Sequence, residues 1–138
     1  MKLFALAAAL LVLAGCGSAD GPLRLAYQGD DAGREAAELA AAEWRDTCGA
    51  DVALDLAGIP LAESDEGVPA GSGGATHEVG SRAVWIHFRA GGDTRAKVAH
   101  EIGHALGLPH TAPGVADLMA AGDTGVRHVT AADCSALR

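Results

Sequence analysis

Apolar and polar residues alternate over residues 23–28 (Leu-Arg-Leu-Ala-Tyr-Gln), a period of two that predicts a half-buried strand. The period changes after Gly29-Asp30-Asp31. Over residues 32–47 the positions Ala37, Ala40, Ala41 and Trp44, followed by Cys48, recur at helical spacing, while Glu35, Glu38, Arg45 and Asp46 fall on other faces. This predicts a long amphipathic helix, and Gly49 stands where a left-handed cap would end it. Residues 51–56 alternate again and predict a second strand. Residues 58–74 are rich in Gly, Pro, Ser and acids, have no period, and read as a mobile surface loop. Residues 76–79 and 82–88 flank Gly80-Ser81, a pair suited to a hairpin because a II′ turn needs the positive φ that Gly accepts. The second arm has the strongest strand composition in the chain. Asp93 or Thr94 then caps a helix whose apolar side is Val98, Ile102 and Ala105. Near the end, Thr130-Ala131-Ala132-Asp133 has the form of a capping box and puts Cys134 in the first turn of a last helix.

Composition narrows what these elements can build. The chain has 138 residues, enough for one domain, and its 10 basic and 18 acidic residues give a net charge of −8. Such a chain lacks the basic footprint that phosphate neutralisation requires, which argues against nucleic acid as a partner. Apolar residues make up 49%, but Ala dominates them and aromatics are only 4%, so the core is thin and a covalent staple would help it.

Met1-Lys2 is a short positive start, and residues 3–13 form an apolar run too short to span a bilayer, the pattern of a secretory signal. The run ends in Leu13-Ala14-Gly15-Cys16, which resembles the lipobox of bacterial lipoproteins. The resemblance implies a signal peptide over 1–15, lipidation of Cys16, a tether over 16–22 and a folded domain over 23–138. It also implies an exported protein anchored by lipid to the bacterial cell envelope, on the outer membrane if the cell is Gram-negative, since Gly17 rather than Asp follows the lipidated Cys. Export means an oxidising space, and with Cys16 lipidated the thiols of Cys48 and Cys134 form a pair. A bridge between them would contribute about 4 kcal/mol in the chain-entropy model. Two buried free thiols are the other reading.

The second helix contains His100-Glu101-Ile102-Gly103-His104. Four residues is just over one turn, so both imidazoles leave one face and can share an ion, while Val98 and Ile102 face the core. Glu101 projects from the rim of that face, within reach of a proton on metal-held water. Gly107 then ends the helix in a left-handed conformation, and Pro109 forces Leu108 towards extended geometry, so the chain turns back and brings His110 in as a third nitrogen donor. Three imidazoles and one open position are the catalytic rather than the structural pattern for zinc.

The string His100-Glu101-x-x-His104-x-x-Gly107-x-x-His110 resembles the metzincin consensus, and among metzincins the chain is most similar to matrixins. The resemblance implies an α+β fold: a small twisted mixed sheet, a long N-terminal helix, an active-site helix, a methionine turn and a C-terminal helix. It also assigns roles, with one Zn2+ on His100, His104 and His110, Glu101 as general base, and Met119 of Asp117-Leu118-Met119 as the apolar floor beneath the imidazoles. Thr111 departs from the Ser that matrixins usually carry after the third His, and no propeptide with a Cys switch fits between Cys16 and the first strand. His77 and His87 do not complete the matrixin structural zinc and calcium sets, so they and His128 read as exposed or satisfied histidines.

The implied activity is that of a zinc-dependent endopeptidase acting on protein or peptide substrates. By the same resemblance, the backbone of residues 83–88 serves as the edge strand that pairs with substrate. The short Ala- and Gly-rich wall between His110 and His128 predicts no deep selective pocket. The rival reading is a non-catalytic zincin-like lipoprotein that binds zinc or a protein partner, against which the carboxylate of Glu101 argues.

Overall fold

The Asp30 side chain accepts a hydrogen bond from Gly33 N at 2.8 Å, and this cap starts helix α1 (Asp31–Cys48). The helix ends at Gly49 in the left-handed region, φ 69°, with its N–H returned to Arg45 O. Its buried stripe, Ala37, Ala40, Ala41 and Trp44, meets the strand residues Leu25, Tyr27, Leu61, Ile86 and Phe88 in one core. The small alanines let α1 lie close, and Trp44 supplies the bulk. Its indole N–H donates to Ala99 O at 2.8 Å, so the one polar atom of that side chain is satisfied inside the core.

The computed structural model describes residues 21–137 as an α+β fold with a five-stranded mixed sheet and three helices. The expected signal peptide over 1–15 and Cys16 lie outside the described residues, as does most of the tether. The strands are β1 (Leu23–Gln28), β2 (Val52–Leu54), β3 (Ile59–Glu63), β4 (Gly74–Val79) and β5 (Arg82–Phe88), in the order β2-β1-β3-β5-β4. Only β4 runs antiparallel to its neighbour. Helices α2 (Thr94–Ala105) and α3 (Ala131–Ser135) follow.

Two expectations need correction. Part of the segment read as a mobile loop, 58–74, is the central strand β3, parallel to both β1 and β5. Pro60 hides it in the sequence, yet the ladder to β5 begins only at Leu61, one residue later, so a missing N–H on that side costs nothing. Gly58 delivers the strand: a Cβ there would stand 2.4 Å from the Arg24 carbonyl. The rest of the segment is pinned by Arg89, whose guanidinium donates to Ser72 O, Val68 O, Pro69 O and the Asp65 carboxylate. Second, residues 83–88 are not an edge. Both sides of β5 are paired over Ile86, His87 and Phe88, by β3 and β4, and the edge on this side of the sheet is β4.

The hairpin forms around Gly80-Ser81 as expected, with Val79 opposite Arg82, φ 64° at Gly80, and no positive φ at Ser81. The second strand is shorter than its alternation: Asp55 N still donates to Leu25 O, but its side chain turns to accept from Ala57 N, and Leu56 is 91% exposed. Cys48 and Cys134 are joined, with Sγ–Sγ 1.99 Å and Cα–Cα 5.0 Å, and the bridge ties the end of α1 to α3.

Candidate metal centre

Asp93 caps α2 by accepting from Ala96 N at 2.9 Å, and Val98, Ala99 and Ile102 bury one side of the helix completely. The other side carries His100 and His104, both half-buried, over an open cleft of about 910 Å³. Helix α2 stops as its local residues require. Gly107 takes φ 92°, its N–H donates to His104 O, and Leu108 N donates to Gly103 O. The reversed chain brings His110 back, and the three Nε2 atoms form a triangle with every side 3.1 Å.

The tautomers follow from the outer nitrogens. His100 Nδ1 lies 2.7 Å from Leu118 O and His104 Nδ1 lies 2.7 Å from Leu108 O. A carbonyl only accepts, so both Nδ1 atoms carry the proton and both Nε2 atoms present bare lone pairs. Burial lowers the pKa of both imidazoles, that of His104 to about 4, which keeps them neutral and able to ligate. Bare nitrogens facing one another repel, and a shared cation relieves this. Around a tetrahedral ion with Zn–N bonds of about 2.05 Å the nitrogens stand about 3.3 Å apart, close to the 3.1 Å found here. His100, His104 and His110 therefore fit a metal ion, and they are the one group of this kind among the described residues.

Glu101 stands on the same helix, 4% exposed, on the β4 side of the cleft. Burial pushes its carboxyl up to about 7, against the opposing pull of a hydrogen bond from Thr76. Thr76 Oγ1 lies 2.8 Å from Glu101 Oε2 and 2.9 Å from the Glu101 backbone oxygen.

The far wall of the cleft comes from residues 107–127. Met119 is 1% exposed, and Gly103 makes room for it: a Cβ on Gly103 would fall 2.2 Å from Met119 Sδ and 3.0 Å from the Trp44 ring. Leu118 N and Met119 N are aimed at the buried carboxylate of Asp133, at 3.4 and 3.2 Å, and that carboxylate also closes the capping box with Thr130. Asp117, also buried, accepts from Thr111 Oγ1 at 2.8 Å. The expected site residues in the described part of the chain thus come together, except that Cys48 and Cys134 act at a distance. Sequence spacing missed Thr76, Gly74, Gly103 and the second task of Asp133. Only for Asp133 was there a signal, the capping box itself.

His77 and His87 do not converge on an ion. Their rings stack on Trp85 at 5.0 and 4.3 Å, and His87 Nδ1 lies 2.7 Å from Glu66 O. Among known proteins, no family model and no curated protein matches the chain.

Proposed function

We propose that the chain is a zinc-dependent endopeptidase of metzincin type, similar to matrixins, held at the surface of a bacterial envelope by a lipid on Cys16. The observation that carries the reading is the convergence of three imidazole Nε2 atoms beside a buried carboxylate in an open cleft. Pure metal storage does not need Glu101 there. The anchor rests on the Leu13-Ala14-Gly15-Cys16 string, and no described helix is long and apolar enough to cross a membrane.

His100, His104 and His110 would hold the ion, with Leu118 O and Leu108 O fixing the first two rings. When bound, zinc lowers the pKa of its water to about 7 and polarises a carbonyl oxygen. Glu101 is the proton carrier: its carboxylate takes a proton from the attacking water and gives it to the leaving amine. A carboxyl that titrates near neutrality suits both transfers. The edge strand β4 lines the cleft through Gly74, Ala75 and Thr76, so an extended substrate can add to its free side by backbone pairing. Gly74 and Ala75 on that wall, and Ala120, Ala121 and Gly122 on the other, leave the cleft wide.

Purified, zinc-loaded chain should cleave an unstructured protein internally, and a chelator should stop it. Glu101→Gln should retain stoichiometric zinc and lose turnover by about 10²-fold or more. Equal activity in the two proteins, or no stoichiometric transition metal in the wild type, would overturn the proposal. Retained zinc with no cleavage by either protein would leave non-catalytic binding as the function.

A further inference from the structure

The two oxygens of the Glu101 carboxylate have different surroundings. Oε2 accepts from the Thr76 hydroxyl at 2.8 Å. Oε1 has no hydrogen-bond partner among the described residues, and no buried side-chain nitrogen or oxygen there is unpaired, so Oε1 is reached by solvent. Gly74 leaves the space: a Cβ on it would stand 2.9 Å from Oε1 and 2.8 Å from Glu101 Cγ. Strand parity places Thr76. It lies opposite Ile86, whose side chain is in the core, so it faces α2, while the next residue, His77, turns to the other face and stacks on Trp85. A hydroxyl has one proton, so Thr76 donates either to Oε2 or to the Glu101 backbone oxygen 2.9 Å away, not to both at once.

We propose that Thr76 is the positioning residue of Glu101: its hydroxyl occupies Oε2 and leaves Oε1 as the oxygen that exchanges a proton with water in the cleft. The chemical step rests on the endopeptidase reading; the division of labour between the two oxygens does not. In that step the water oxygen bonds to the carbonyl carbon and the C–N bond breaks. One water proton passes through Oε1 to the amine nitrogen, and the other stays with the new carboxyl group. While Oε1 holds the proton, Oε2 is a weaker acceptor, and the Thr76 proton can turn to the Glu101 carbonyl without leaving Oγ1. It turns back when Oε1 is emptied.

Thr76→Val removes the hydroxyl and keeps the branched shape, Thr76→Ser keeps the hydroxyl, and Thr76→Ala repeats the Val comparison should Val disturb the strand. In the full zinc-loaded chain, Thr76→Val should lower kcat about 10-fold with KM within about twofold and unchanged zinc content, and Thr76→Ser should stay within about threefold of the wild type. A second readout does not need turnover. The infrared carboxylate band identified by its loss in Glu101→Gln should shift in Thr76→Val and hold its place in Thr76→Ser. A shifted band in a chain that cleaves nothing supports the Thr76 assignment and defeats the endopeptidase reading alone. An unshifted band, a Val variant within about twofold of an active wild type, or a Ser variant as impaired as Val overturns the assignment.

Discussion

His100 and His104 stand on a helix of 12 residues whose far side is buried in the core, whereas His110 and Met119 stand on residues 106–130, whose only sheet-like contact is the isolated bridge of Thr111 with Ala120. The first wall of the cleft is held mainly by hydrogen bonds between near neighbours and by the packing of Val98, Ala99 and Ile102, with single long-range bonds from Trp44 and Thr76. The second is held by distant groups. Asp133 grips Leu118 and Met119, Glu43 of α1 accepts from Val129 N at 3.2 Å, and Arg95 of α2 donates to Arg127 O. Damage to the first wall should therefore be local and complete. Damage to the second should spread from anchors that touch no ligand.

The largest effect is expected from the rigid wall. His104→Ala removes a donor whose ring is already oriented by Leu108 O, and metal affinity should fall by well over the 10–100-fold that loss of an outer partner costs. Equilibrium dialysis against zinc would measure it. Unchanged stoichiometry at low free zinc would refute the three-nitrogen site.

On the other wall the largest effect should come from the disulfide. Replacing Cys48 and Cys134 together by Ala frees the end of α1 from α3 and should cost about 2–4 kcal/mol in a denaturant titration. A variant with an unchanged midpoint would mean that Glu43, Arg95 and Asp133 secure this wall without the bridge. Asp133→Ala comes next. It leaves Leu118 N, Met119 N and Thr130 N without their acceptor and removes a capping box, for a loss of about 3 kcal/mol. Because Leu118 O orients His100, zinc affinity should fall with it, by about 10-fold or more. Lost stability with intact affinity would show that the Asp117-Leu118-Met119 segment does not transmit to the ligands.

The same contrast explains which features the sequence makes legible. The stripe of α1, the cap at Gly49, the His100–His104 pair and the turn at Gly107 each depend on residues within one or two helical turns, so spacing alone reveals them. Strand β3 has one fully buried residue, Leu61, and a Pro, and it exists because β1 and β5 flank it. Which arm of the hairpin forms the edge depends on the partner of β5, which lies 25 residues back along the chain in β3 (Leu61 opposite Ile86) and is invisible to periodicity. Gly103 looks like any variable position until Met119, from the other wall, is seated against it. Local chemistry was legible, and whatever one wall does for the other was not.

The smallest effect should be the pH dependence of the metal-free protein, because two opposed shifts meet on the rigid wall. His104 is held to about 4 and His100 is also lowered, so as pH falls below about 6.5 the unfolded chain takes up protons that the fold refuses, and stability drops. Glu101 is raised to about 7 from an ordinary value of 4.5, so over the falling range between those values the fold takes up a proton that the unfolded chain does not, and stability rises. Half-exposed rings weaken the first effect, and the net change between pH 6.5 and 5 should be under about 2 kcal/mol. Zinc should break the balance. A loaded protein should gain about 2.7 kcal/mol at a free zinc concentration 100 times Kd, and that gain should disappear as acid competes for the three imidazoles. Denaturant titrations at pH 6.5 and 5, with and without zinc, should give a shallow metal-free pair and a steep loaded pair. Equal slopes would mean that the three imidazoles do not bind the ion as a unit, and the distinction between a rigid donor wall and an anchored one would lose its chemical meaning.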